Sequence, residues 1–469
     1  MKKLLLFSFI LIFALAGCIE DPEDEDDEII DEPEVTLTFE EEIVALINEQ
    51  TEKGTQANPA VIELEHELGH MLSTESNWHK LLGAIKTADK YIKLDLSACT
   101  LENHSYNFFH PDWTITDGKD KIIEIILPEE ATHIVGGNLN EGNYAFKHFT
   151  KLKYISGVNI EHIGNAAFYE CSSLVEVNFP LLQEIMTSAF YNCTNLVEAD
   201  FPLVNILGNN AFNGCTNLES VNFPEVTVIH QHTFYNCTSL ETVIIPNAEL
   251  IDQNAFYGCT SLVEANFPFV TTVGDYAFYN CTSLEIVNIP KITTIFPGVF
   301  QNCSSLVNVS FPLVTLIAVN AFRDCTSLVK AEFHTNNSDL VFQDYAFYGC
   351  TSLNVLDVRN TLDVVFQRSA LGNIGNTRDR VLNLYMFDDD GTKSRGHPPI
   401  GHFLGGADGD IQTIITINII APEVTGVSQI EKWDSADAHG IYFRLFHDGT
   451  HNAHVEVLIE RRTDLYNSQ

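Results

Sequence analysis

Positive charge is what this sequence has least of. Against 64 Asp and Glu residues stand only 25 Lys and Arg, giving a formal charge of −39. A chain so acidic lacks the clustered cations that nucleic-acid phosphates demand, which excludes DNA and RNA as expected partners. Also missing is an apolar run of the ~20 residues that a membrane-spanning helix needs. The glycine patterns of P-loops, dinucleotide-binding turns and nucleophile elbows are absent as well, so no cofactor is expected.

What is there begins with MKKLLLFSFILIFALAGC: two lysines, a short apolar run, then small residues ahead of Cys18. This layout is that of a secretory signal. With a cysteine directly after Leu15-Ala16-Gly17, it resembles a bacterial lipoprotein signal and its lipobox. The resemblance implies that Cys18 is lipidated and becomes the first mature residue, held in a membrane by its acyl chains. Loss of Lys2 and Lys3 with the signal takes the charge from −39 to −41. Behind Cys18, eleven acids fall between Glu20 and Glu34, a segment that cannot bury enough apolar surface to fold and is expected to be an extended tether. An acidic segment in that place also resembles the surface-export signals of some bacterial lipoproteins.

The cysteines carry the organisation of the rest. Cys171, Cys193, Cys215, Cys237, Cys259, Cys281, Cys303 and Cys325 follow one another at 22 residues, and Cys350 comes after 25. A strict period of that length means a solenoid. In the unit CTSLEIVNIPKITTIFPGVFQN, Leu284, Val287 and Ile289 read as one short strand with an apolar inner face, and Pro290 ends it. No unit can hide its apolar side alone, so stacked units share one core and strands of successive turns pair in parallel. Phe149 takes the cysteine slot one turn earlier. Ten turns at ~4.8 Å make a stack of roughly 45 Å. Nine cysteines in register cannot all pair, Phe149 shares their slot, and apolar neighbours place that slot inside. They are therefore expected to be buried reduced thiols that pack as small apolar groups and donate weakly to carbonyls.

The pattern A-F-x-x-C-x-x-L-x-x-I-x-I-P resembles the BspA-type, or Treponema pallidum-type, leucine-rich repeats of bacterial surface proteins. It is strong over 145–371 and weak upstream, where YIKLDLSACT and GKDKIIEIILP look like the leading cap and first strand. Departures are His334 in place of the proline, the insertion TNNSDL, and decay after Leu371. The resemblance implies an adhesin-like, non-catalytic role.

On the outer side of the expected strands run two polar rows. One holds Asn178, Asp200, Asn222, Ile244, Asn266, Asn288 and Ser310; the other holds Glu176, Glu198, Ser220, Thr242, Glu264, Ile286 and Asn308. Such a face either binds a partner or simply keeps the array soluble. A row of tyrosines, Tyr169, Tyr191, Tyr235, Tyr257, Tyr279 and Tyr348, is placed to form an aromatic ladder at the turn, and is expected to pack over the adjacent phenylalanines in preference to forming a glycan platform. The recurrent NCT at Asn192, Asn236 and Asn280 matches a glycosylation acceptor but reads as turn chemistry of the repeat.

HELGH, from His66 to His70, is the one stretch with enzymatic content. On a helix His66 and His70 would hold zinc while Glu67 activated water, as in a zinc peptidase. Ser73 and Ser76 stand where the longer motif wants Gly and His. AVIELEHELGH alternates like a strand, which would set the two histidines about 13 Å apart. Trp78, Leu81, Leu82 and Ile85 then have helical spacing, with Ser76 as the cap. Near the C-terminus IQTIITINIIAP reads as a strand, and GIYFRLFHDGTHNAHVEVLIERR as a hairpin turning at Asp448-Gly449 with His447, His451 and His454 about it. DDDGT (388–392) is a loop, since His397 stands where a calcium loop needs its glutamate.

The expected molecule is an α/β solenoid: a leucine-rich repeat array of about ten 22-residue turns with parallel short strands. Its parts are a signal at 1–17, a lipidated cysteine and tether at 18–38, an N-terminal α+β cap at 39–135, the repeats at 136–371 and a β-rich C-terminal cap or small domain at 372–469. The expected function is binding of a surface or extracellular protein by Glu176, Asn178, Glu198, Asp200, Asn222, Glu264, Asn266, Asn288 and Asn308, from a lipid anchor on the bacterial envelope, with surface display on the outer membrane. The alternatives are a zinc peptidase using His66 and His70, and a passive envelope stalk.

Overall fold

The computed structural model describes residues 37–101, 107–335, 338–358, 364–367 and 370–372, with the backbone of strands Val381–Tyr385, Thr416–Ala421, Tyr442–His447 and Ala453–Leu458 beyond them. Cys18, the tether up to residue 36, the DDDGT loop, His451 and the Asp448-Gly449 turn lie outside the described residues.

Each repeat turn contributes a three-residue strand, as in Glu198–Asp200, Ser220–Asn222 and Thr242–Ile244. These pair in parallel and in strict register, Glu198 with Ser220 and Ser220 with Thr242. In the repeat strands from Glu176 to Glu332 the middle residue faces inward and the outer two lie toward solvent. Sequence reading gave one strand per turn, but the return path holds a second parallel ladder of two-residue strands, for example Val228–Ile229, Leu250–Ile251 and Thr272–Val273. Two residues are too few to leave an alternation signal, and only stacking makes them a ladder. The insertion TNNSDL adds three residues to its turn, and both ladders absorb it: Leu316 pairs with Val341, and Lys330 with Val355.

Between the ladders lies one continuous core. Phe146, Phe168, Phe190, Phe212, Phe234, Phe256, Phe278, Phe300, Phe322 and Phe347 form a face-to-face column with centroids 4.6 to 5.9 Å apart. Beside it runs the sulfur column. The nine repeat cysteines are free and buried. Each thiol donates to the carbonyl of a phenylalanine in the preceding turn, as Cys215 to Phe190 at 3.0 Å and Cys259 to Phe234 at 3.1 Å. A donor small enough for the dry slot and able to satisfy that carbonyl explains the choice of cysteine.

The residue before each cysteine has a left-handed backbone. Glu170, Asn192, Gly214, Asn236, Gly258, Asn280, Asn302, Asp324 and Gly349 have φ between 55° and 78°. Asn, Asp and Gly tolerate this conformation best, so the recurring NC and GC pairs are backbone chemistry.

At the N-terminal end the expected strand, helix, strand order is present as Ala60–Glu63, α2 (Asn77–Ala88) and Ile92–Asp95; the first strand pairs in parallel with the second, and the second with Ile122–Ile126 and so with the repeat ladder. A further helix, α1 (Phe39–Glu49), precedes them. Its signal was Thr38 and Glu41, which form a reciprocal capping box. Ser76 caps α2 by accepting from the His79 amide, and Trp78, Leu81, Leu82 and Ile85 are buried. Under α2 lies a buried polar knot. Lys119 is fully enclosed, donates to the Asp112 carbonyl and sits 5.3 Å from the Phe149 ring, while Asp112 pairs with His79 at 3.0 Å. Burial pulls the Lys119 ammonium down to about 8, partly opposed by Asp112. At the other end Val381–Tyr385 and Thr416–Ala421 extend the parallel ladder, and the antiparallel hairpin of Tyr442–His447 with Ala453–Leu458 follows. Among the described residues no helix is long and apolar enough to cross a membrane.

Candidate binding surface

The two polar rows sit where the strand pattern put them. Glu176, Asn178, Glu198, Asp200, Glu264, Asn266, Asn288 and Asn308 are exposed and Asn222 is half-buried, all at the outer positions of their strands. Parallel register stacks like on like. Asn222 Nδ2 donates to Asp200 Oδ1 at 2.8 Å, and Asn288 Nδ2 to Asn266 Oδ1 at 2.9 Å. These bonds hold the amides flat along the ladder and leave the Glu176, Glu198 and Glu264 carboxylates facing solvent. Exposed Ile244 and Ile286 interrupt the polar rows, so the face offers apolar contact as well as charge.

The tyrosine row forms an aromatic ladder at the turn, though not by packing over the phenylalanines. The rings stack on one another and leave the phenylalanines to their own interior column. Tyr144, Tyr169 and Tyr191 form one stack with centroid spacings of 4.5 and 4.6 Å. Tyr235, Tyr257 and Tyr279 form another with the same spacings. A 22-residue repeat with a half-buried aromatic at one position brings these planes into van der Waals contact, and burial followed by the neighbouring tyrosines raises the Tyr169 and Tyr257 phenols above their ordinary value. Between the stacks stands Asn213, whose Nδ2 is turned to Asn210 Oδ1 at 2.9 Å. An open groove of about 600 Å³ lies there, lined by Tyr191, Tyr235, Asn192, Asn236, Thr194 and Thr216 among others. The sequence signal for it was one asparagine where neighbouring turns carry tyrosine.

HELGH is neither a helix nor a regular strand. The strand ends at Glu63, and Glu67 makes only an isolated bridge to Thr100. Burial still alternates, with Ile62, Leu64 and Leu68 inside and Glu63, Glu65 and Glu67 outside. His66 is half-buried, with Nδ1 2.6 Å from the Glu65 carbonyl and its ring 5.6 Å from Phe39, whereas His70 is exposed. The structure thus gives these histidines no shared helical face. Among the described residues no group of three or more His, Cys, Asp or Glu is placed to hold a metal.

Comparison with known proteins agrees with the repeat geometry. Residues 140–250 and 227–354 match the BspA type leucine rich repeat region, in six copies. No curated protein matches the chain. Similar solved structures include a leucine-rich repeat protein from Bacteroides ovatus, 20% identical, covering 64% of this chain and 80% of that one with a TM-score of 0.43. A leucine rich cell surface protein from Faecalibacterium prausnitzii is 22% identical over 54% of this chain and 76% of its own, with a TM-score of 0.35. The leucine rich repeat protein of T. pallidum is 28% identical over 37% of this chain and 72% of its own, with a TM-score of 0.29. The repeats over residues 140–354 are of the BspA type.

Proposed function

We propose that the chain is a cell-surface binding protein of bacteria, tethered through a lipidated Cys18, whose outer strand face captures a protein ligand in an adhesin-like manner. The observation that carries this is the placement of acidic and amide side chains at the outer positions of successive repeat strands from Glu176 to Asn308, in parallel register wherever the strands pair. A flat acidic face with intervening Ile244 and Ile286 suits a partner of positive charge with apolar spots, and contact with it weakens as salt rises. Members of this repeat family occur at bacterial surfaces, and the F. prausnitzii relative is described as a cell surface protein. The solenoid scaffold itself commonly binds instead of catalysing. Outer-membrane display fits the acidic segment behind Cys18.

The test is recovery of surface or matrix proteins by the intact array compared with Glu176→Lys, Glu198→Lys and Glu264→Lys combined. The binding face predicts loss of specific recovery in the variant, while a passive stalk predicts equal recovery. Display is tested by protease treatment of whole cells, and the anchor by Cys18→Ala, which should release the protein from the membrane fraction.

A further inference from the structure

The tyrosine column is broken at one rung with tyrosine on both sides. It continues past Tyr279 through Gln301 and Arg323, but there the Arg323 guanidinium covers the next ring, Tyr348, at 5.2 Å. At Asn213 no ring among the described residues stacks face to face on Tyr191 from one side or on Tyr235 from the other: the Asn213 amide is held back against Asn210, and His232 meets Tyr235 edge-on at 5.3 Å. Two turns of the solenoid separate Tyr191 from Tyr235, which is ~9.6 Å at the usual strand spacing. Contact stacking takes up roughly 4 to 5 Å per ring pair. One flat unit about as thick as an aromatic ring therefore fits between them, touching both.

We propose that this rung is a slot for one pyranose ring of a neutral oligosaccharide. Tyr191 and Tyr235 present their faces, which attract the C–H face of a sugar as they attract the edge of a ring. Around the edge of the slot stand amides and hydroxyls, Asn192, Asn236, Thr194 and Thr216, as donors and acceptors for equatorial sugar hydroxyls. Glu170 and the strongly negative chain disfavour an acidic sugar. Thr194 and Thr216 already donate to the Ser172 and Thr194 carbonyls and so offer a sugar acceptor lone pairs, while the Asn192 and Asn236 amides offer it donors as well. The groove, at about 600 Å³, lies within the range of small-ligand sites and stays open at its sides, so a chain of sugars can pass through. The slot lies on the turn side of the solenoid and goes beyond the protein-binding reading of the strand face.

The experiment is calorimetric titration of the full chain with cellohexaose and with chitohexaose up to about 10 mM, a range that captures the weak binding a single stacked ring gives. The proposal expects saturable binding of at least one sugar. Asn213→Tyr fills the rung, completes the stack and should abolish binding while leaving the melting temperature equal or higher. Tyr191→Ala and Tyr235→Ala should each weaken binding by about tenfold. Tyr348→Ala, remote from the slot, and the triple charge reversal on the strand face should leave it unchanged. Absence of binding by the unaltered chain to both sugars overturns the proposal, as does undiminished binding by Asn213→Tyr; if that variant fails to fold, unchanged affinity in both alanine variants overturns it equally.

Discussion

Raising the pH past 9 ionises the thiols of the unfolded chain but leaves those of the folded array protonated, and this asymmetry should melt the protein. Burial, the largest cause in every case, raises the Cys171, Cys193, Cys215, Cys237, Cys259, Cys281, Cys303 and Cys350 thiols well above their ordinary 9.0. A group whose folded pKa lies above its unfolded one contributes stability that is complete below the unfolded pKa and lost as pH rises above it. One pH unit beyond 9 each thiol therefore favours unfolding by about 1.4 kcal/mol. Eight of them sum to about 11 kcal/mol, comparable with the whole stability of a typical domain. Solenoids open locally, and even a three-turn segment would lose about 4 kcal/mol. Circular dichroism melts at pH 7, 8, 9 and 10 should show a plateau to about pH 8.5 and then a steep fall in melting temperature. At pH 8 a thiol reagent should label the folded chain far more slowly than the urea-unfolded chain. A melting temperature that is flat from pH 7 to 10, or rapid labelling of the folded protein, would refute the dry sulfur column.

Two further outcomes are expected. At Asn236, with φ of 56°, replacement by Ala should cost about 1 kcal/mol in urea unfolding, while Gly should be neutral, because neighbouring turns already place Gly214 and Gly258 in the same conformation. Lys119 is the reverse of the thiols: its folded pKa of about 8 lies below the ordinary 10.5, so the penalty of burying its charge is full below pH 8 and fades as pH rises toward 10.5. Lys119→Met should stabilise the protein at pH 7 by about 1 to 3 kcal/mol, with the gain over the unaltered chain shrinking by pH 10. A gain that does not change between pH 7 and 10 would show that the enclosed ammonium keeps its proton throughout, so that burial does not lower its pKa.

The strand face was legible because strand side chains alternate and the repeat is strict: naming Glu176 and Asn178 as outward fixed the same positions on every later turn. The helix at Asn77–Ala88 was legible from Ser76 and the spacing of Trp78, Leu81 and Ile85. Three features were not. Helix α1 has its cap written in Thr38 and Glu41, but it follows an acidic run whose charge obscures it. The second ladder is built of two-residue strands that exist only by pairing with the next turn. The behaviour of Tyr191 and Tyr235 depended on which way each ring turned from the coil.

The sequence alone determined the period, and with it the stacking of phenylalanine on phenylalanine and sulfur beneath carbonyl, because any side chain repeated every 22 residues must lie over its own copy. Tertiary structure decided what direction and distance decide: that HELGH runs as irregular chain with His66 against Phe39 and His70 in solvent, and that Asn213 folds back to leave a vacant rung between two rings. Periodicity is a one-dimensional property and survives in a string of letters, whereas the side of the coil to which an unrepeated residue turns is set by neighbours distant in the chain.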